Sequence, residues 1–148
     1  MSSQIDPAAL VQAIGDALIV SDVEGRVVVW NAAAERLFGW TEAEALGRRM
    51  DMIIPERLRK RHWEGYDKSM QTGETRYAHD VLRVPAVDKS GRSMSIAFTV
   101  FMLFGPDGKP SACGSVIRDE TERFTQDREL RKRVADLEAR LAAGSAGA

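Results

Sequence analysis

The stretch "DALIVSDVEGRVVVWNAAAERLFGWTEAEALGRRM" (Asp16–Met50) changes its hydrophobic period halfway along, and that change decides the fold class. Two β-branched runs, Leu18–Val20 and Val27–Trp30, flank the turn signal Asp22-Val23-Glu24-Gly25, so the first half reads as a β-hairpin. From Asn31 the spacing becomes helical. Ala32, Ala33, Leu37 and Phe38 fall on one face and Gly39 breaks the run. Thr41 with Glu44 three residues later is a capping box, which opens another short helix that Gly47 ends.

Toward the N-terminus, "PAALVQAIG" (Pro7–Gly15) reads as a helix, with Asp6 as its cap and Pro7 in its first turn. Toward the C-terminus, Pro55 opens a longer helix that Thr72-Gly73 closes. Ile54, Leu58, His62, Tyr66 and Met70 recur about every four residues, so His62 shares a face with apolar neighbours. Period two then takes over. Tyr77–Val87 reads as one strand, and Asp88-Lys89-Ser90-Gly91 as a turn. In "RSMSIAFTVFMLF" (Arg92–Phe104), Met94, Ile96, Phe98, Val100 and Met102 share one face, opposite Ser95, Ala97 and Thr99. "GPDGKP" makes a turn and "SACGSVIRD" a final strand.

After Asp119 the chain turns helical and charged. Leu130, Val134, Leu137 and Leu141 follow heptad-like 4-3-4 spacing. That seam covers only about two heptads, too short to hold a coiled coil unaided. It predicts a homodimer to which the neighbouring domain adds contacts. The expected organisation is a cap helix over 1–15, a folded domain over 16–119, a charged helix over 120–143 and a flexible tail over 144–148. Two strands, then short helices, then three strands make an α+β domain: a five-stranded antiparallel sheet with helices on one face.

Composition narrows the function. The 148 residues are 44% apolar, enough for a core, and the net charge of −1 argues against bulk electrostatic binding of nucleic acid or an anionic membrane. No apolar run approaches the ~18 residues of a membrane span. "MSSQIDPAAL" lacks the pattern of a signal peptide, so a soluble cytoplasmic protein is expected. The single cysteine, Cys113, forbids an internal disulfide and a cysteine-based zinc cluster. No Ser-His-Asp set, acid–base carboxylate pair, phosphate-binding glycine loop or zinc spacing is present, so no enzymatic activity is expected.

The opening stretch closely resembles the start of a PAS domain, and "SACGSVIRDETER" (Ser111–Arg123) resembles its closing strand, with the Asp-x-Thr-Glu-Arg signature that leads into a signalling helix. The resemblance spans about Ile14 to Phe124. It implies a five-stranded sheet with a pocket between its concave face and the helix bearing His62. It also implies signalling roles for Asp119, Thr121 and Arg123, and a separate downstream signalling protein as partner. Because PAS domains carry haem, flavin, small metabolites or nothing, the fold alone does not name the ligand.

The middle segment resembles the haem-binding PAS oxygen sensors of the FixL and Dos type. "IIPERLRKRH" (Ile53–His62) matches their histidine-bearing helix, and the spacing from His62 to Gly91 matches without a gap. The resemblance implies a b-type haem with His62 on its iron and Lys68 and Arg76 on its propionates. Ile96, Phe98 and Val100 would form the distal wall. Where those sensors place an oxygen-bonding arginine, this chain has Leu82. Arg83 is next to it, but a one-residue step points a strand side chain to the opposite face. A wall without that donor favours carbon monoxide or nitric oxide over stable oxygen binding.

Other readings stand beside this one. His62 could be a half-exposed histidine bonded to backbone or to Tyr66, which leaves a cofactor-free dimerisation module or a metabolite-binding domain. Trp30, Trp40 and Trp63 could stack on a flavin, although the cysteine motif of the flavin photoreceptors is absent from the helix. His79 reads as solvated, and Cys113 as a small strand residue.

Overall fold

A computed structural model describes residues 4–75 and 77–146. Helix α1 (Pro7–Ala13) leads into strands β1 (Ala17–Asp22) and β2 (Val27–Trp30). Helices α2 (Ala32–Phe38) and α3 (Glu42–Ala45), a 3-10 turn (Met50–Ile53) and helix α4 (Glu56–Thr72) follow. Strands β3 (Leu82–Val87), β4 (Ser93–Phe104) and β5 (Pro110–Asp119) complete one sheet, and helix α5 (Thr121–Ala146) ends the described chain. The sheet order is β2-β1-β5-β4-β3, with every described pair antiparallel. The five-stranded antiparallel sheet with its connecting helices is the α+β architecture expected from the sequence.

The local signals act as the residue types dictate. Asp6 caps α1 through the Ala8 amide, and the Thr41–Glu44 capping box is complete. Asn31 does more than cap α2. Its Oδ1 accepts the amides of Ala34 (3.0 Å) and Leu18 (2.9 Å), and its Nδ2 donates to the carbonyls of Val11 (3.0 Å) and Asp16 (3.1 Å). One fully buried amide therefore ties α1, the entry to β1 and α2 together.

The core lies between the concave face of the sheet and the connecting helices. Ile19, Ile96 and Ile117 rise from the sheet to meet Trp30, Phe38 and Ile53. The Trp30 and Phe38 rings lie 5.8 Å apart. Burial of each such side chain contributes about 2–3 kcal/mol. On the convex face Phe101 lies across Gly114, where a Cβ would fall 2.1 Å from the ring's Cζ. Glycine is required there by that close approach, not by its backbone angles.

Two sequence expectations change. Tyr77–Val87 is not one strand: β3 starts at Leu82, and Tyr77–His79 form a turn. The β3–β4 register continued backwards would place Asp80 opposite Val100, but the Val100 amide donates instead to the Tyr77 carbonyl (2.9 Å). The residues between loop out. The tail expected from Gly144 is helical as far as Ala146, because Ala142, Ala143 and Ala146 outweigh the roughly 1 kcal/mol cost of one helical glycine.

Candidate functional site

Helix α4 packs on the sheet, and Leu58, His62, Tyr66 and Met70 form one of its partly buried stripes. Two side chains fix its phase. Tyr66 is buried, and its hydroxyl donates to the Asp22 carbonyl at 2.5 Å. Trp63 donates from Nε1 to Asp51 Oδ1 at 2.6 Å. The Trp63 ring packs on Gly25, where a Cβ would lie 2.4 Å from Cζ3, and the Arg49 guanidinium stacks on it at 3.9 Å. The β1–β2 turn and the 3-10 turn thus clamp the helix on either side of His62.

His62 is half-buried, with its ring edge-on to Trp63 at 4.7 Å. Among the described residues it makes no hydrogen bond, and its Nδ1 is buried without a partner. The bonded arrangement with backbone or Tyr66 is therefore absent. Burial pushes the imidazole down from 6.5 to about 4; Asp51 opposes this and Arg49 assists it. The ring is neutral near pH 7, the state in which an imidazole can ligate iron.

Strand register sets the opposing wall. Leu82 pairs with Phe98 and Val84 with Ile96, while Phe98 also faces Ile117, so these side chains share the concave face. Helix α4 closes over the β1–β5 end of that face. Leu82, Phe98, Val100 and Met102 are left partly exposed on it. Cys113 is also half-buried on this face, and burial pushes its thiol up to about 11, so it stays protonated. Arg83 pairs with Ala97 in an unbroken ladder and points to the convex side. His79 is exposed in the turn before β3.

Lys68 is exposed on α4, ~240° around the helix from His62. Arg76 lies outside the described residues. Of the three tryptophans, Trp30 is core, Trp63 belongs to the clamp, and Trp40 sits under Arg48 (5.1 Å) and Lys89 (5.3 Å). A separate cleft of about 290 Å³, lined by Asp16, Arg36, Leu37, Ile117 and Arg118, lies away from α4. Among the described residues no group of three or more His, Cys, Asp or Glu could hold a bare metal ion. The donor available is one neutral imidazole whose buried Nδ1 has no partner, which is the chemistry of a cofactor that takes a single protein ligand.

The sheet-to-helix junction is hydrogen-bonded to the same wall. Asp119 Oδ1 accepts from the Thr121 amide (2.9 Å) and hydroxyl (2.6 Å). Thr121 Oγ1 accepts the Ser95 amide at 3.0 Å, and the Ser95 carbonyl accepts the Glu120 amide at 2.8 Å. Arg123 pairs with Glu120 at 3.8 Å. Ser95 is adjacent to Ile96, so the wall and the root of α5 are joined through consecutive residues of β4. Thr121→Val removes the acceptor for the Ser95 amide and should cost about 1 kcal/mol. Urea unfolding would measure that loss, and hydrogen exchange should quicken at Ser95 before the rest of β4. Sequence reasoning missed Asp51, Trp63 as a clamp, and Ser95. Their partners are remote in sequence, and a polar residue on a strand face carries no periodic signal.

A family model described as the PAS fold matches residues 11–124. The sensor protein FixL of Bradyrhizobium diazoefficiens is 29% identical over 136 residues, covering 90% of this chain and 25% of its own length. The oxygen sensor protein DosP of Escherichia coli is 28% identical over 131 residues, covering 85% of this chain and 15% of its own. The chain therefore spans a quarter or less of these curated relatives. Among solved structures, the PAS domain of a Colwellia psychrerythraea protein superposes with a TM-score of 0.68 at 18% identity, covering 78% of this chain and 94% of that one. An RNA-binding light-oxygen-voltage receptor superposes with a TM-score of 0.70 at 21% identity, over 91% of this chain and 40% of that one. No helix among the described residues is long and apolar enough to cross a membrane. From its first helix to the root of α5, this chain belongs to the PAS family and is similar to domains of the FixL and DosP sensors.

Proposed function

We propose that this domain senses a diatomic gas or redox state through a b-type haem held by His62, and passes the signal through α5 to a downstream signalling protein. The observation that carries the reading is the His62 ring: neutral, unbonded and on a partly buried stripe of a clamped helix. Similarity to two named sensors, one of them an oxygen sensor, supports it. A bound haem would supply an iron with an open axial position. The chain's own residues do the rest. Trp63 and Tyr66 hold the helix that aims the imidazole, and Ile96, Phe98 and Val100 exclude water from the far side. Lys68 is free to meet a carboxylate at the rim, and Arg76 has the chemistry to do the same. With Leu82 on the concave face and Arg83 on the convex one, β3 offers no counterpart of the oxygen-bonding arginine, which favours carbon monoxide or nitric oxide.

A change at Phe98 or Ile96 moves Ser95, and Ser95 holds Thr121 and Glu120, so the root of α5 responds to the wall. The exposed Leu130–Leu141 seam supports a homodimer. Titration of the protein with hemin, followed by absorption, tests the cofactor. A saturable Soret band at one equivalent is expected, and His62→Ala should abolish or reshape it. A protein that ignores hemin would overturn the haem reading. It would favour a cofactor-free interaction domain, in keeping with the direct docking of Tyr66 onto Asp22.

A further inference from the structure

The cleft away from α4 lies between the start of β1, helix α2 and the end of β5. Its walls are tied to one another. Asn31 bonds the Asp16 carbonyl, the Leu18 amide and the Ala34 amide, which fixes β1 against α2. Arg118 on β5 clasps the Asp16 carboxylate through two bonds of 3.1 and 3.2 Å. The cleft is therefore preformed. Its volume of about 290 Å³ sits at the small end of ligand pockets, which run from roughly 300 to 1,000 Å³.

Its chemistry has two parts. Ala17, Ala33 and Ile117 are core residues that also line the cleft, with the half-buried Leu37 beside them, so the floor is apolar. The charged side chains that line it are two of each sign. Arg118 and Asp16 neutralise each other. Arg36 is exposed in the last turn of α2 and makes no hydrogen bond or ion pair among the described residues. Asp119 commits Oδ1 to the Thr121 amide and hydroxyl, and no described group donates to its Oδ2. One uncommitted cation and one uncommitted carboxylate oxygen thus flank an apolar floor.

We propose that this cleft binds a free α-amino acid with an apolar side chain. Its carboxylate takes Arg36, whose long exposed side chain is able to settle over it and offers two parallel donors. Its ammonium takes Asp119 Oδ2, and its side chain lies on Leu37 and Ile117. The balance of charge selects the zwitterion. A phosphate dianion would meet Asp16 and Asp119, and a simple amine would meet Arg36. The site needs no haem and lies away from His62. Because Asp119 also holds Thr121, an occupant here acts on the root of α5 by a route separate from helix α4.

Titration of the hemin-free full chain with L-leucine, followed by amide NMR shifts, tests the site. Saturable shifts are expected at Arg36, Leu37, Asp119 and Thr121, with His62 and Tyr66 unmoved. Two probes divide the recognition: 4-methylpentanoate lacks the ammonium and 3-methylbutylamine lacks the carboxylate. Each should bind about tenfold more weakly than leucine. Arg36→Gln should weaken leucine binding by a similar factor, and Arg36→Lys should recover part of it. Asp119→Asn keeps the acceptor for Thr121 and removes the charge, so it should weaken leucine but not 4-methylpentanoate. Equal binding of leucine and 4-methylpentanoate would overturn the amino-acid assignment. Shifts centred on α4, or no saturable shift, would overturn the site itself. Neither result depends on whether the protein takes up hemin.

Discussion

Replacing Asn31 with alanine is expected to lower stability by about 4 kcal/mol and the melting temperature by about 10 °C. The Asn31 amide makes four hydrogen bonds to backbone groups of three different segments. Alanine abolishes all four and leaves the Leu18 and Ala34 amides and the Val11 and Asp16 carbonyls short of a partner. Each bond contributes about 1 kcal/mol net, and buried groups left unpaired cost more. An ordinary N-cap truncation costs only ~1 kcal/mol. The excess measures the two donations that hold α1 and the start of β1. Asn31→Asp separates the parts: it keeps both accepted bonds, loses both donated ones and sets a carboxylate against two carbonyls. Its loss should fall between wild type and alanine. Urea unfolding of the three proteins provides the comparison, and an alanine variant within 1 kcal/mol of wild type would show that the ties to α1 carry no weight.

That cap shows what was legible in the sequence. The change of period at Asn31, the Thr41–Glu44 box and the glycine-ended turns are local, and each formed where expected, because each depends on residues within four positions. Strand alternation in β4 was equally readable, and with it the shared face of Ile96 and Phe98. Bonds from side chain to remote backbone were not readable. Asn31 to Val11 spans twenty residues, Thr121 to Ser95 twenty-six, and Tyr66 to Asp22 forty-four. No periodicity encodes such pairs, since they form only once the sheet has set its register. The loop before β3 failed for a related reason. Tyr77–Asp80 could have continued the strand, but a backbone bond to Val100 competed successfully with the ladder. At the candidate site, helical spacing put His62 on one stripe of α4 with Tyr66, and both are at least half-buried. It did not show that the Trp63–Asp51 bond would fix the helix, or that His62 Nδ1 would be buried without a partner.

The ring's environment makes a second large effect measurable without any cofactor. In the unfolded chain His62 should bind a proton near pH 6.5; in the folded chain burial lowers this to about 4. Between those values the unfolded state holds more protons, so stability rises with pH across the window. The contribution is complete above pH 6.5 and is lost as pH falls toward 4. The full shift corresponds to about 3 kcal/mol at 1.36 kcal/mol per unit, and partial exposure of the ring reduces the expectation to about 2 kcal/mol. Other groups titrate in the same range, so the observable is a difference. Urea unfolding of the protein and of His62→Gln, from pH 7 to pH 4, should converge by that amount as the solution is acidified, because glutamine has no proton to gain. Parallel curves would mean the imidazole is solvated and free to charge. A solvated ring would carry a proton below pH 6.5 and compete poorly as an iron ligand, so the pH experiment bears on the haem reading before hemin is added. If the curves converge and hemin still fails to bind, the fault lies with the space beneath α4 and not with the chemistry of the ring.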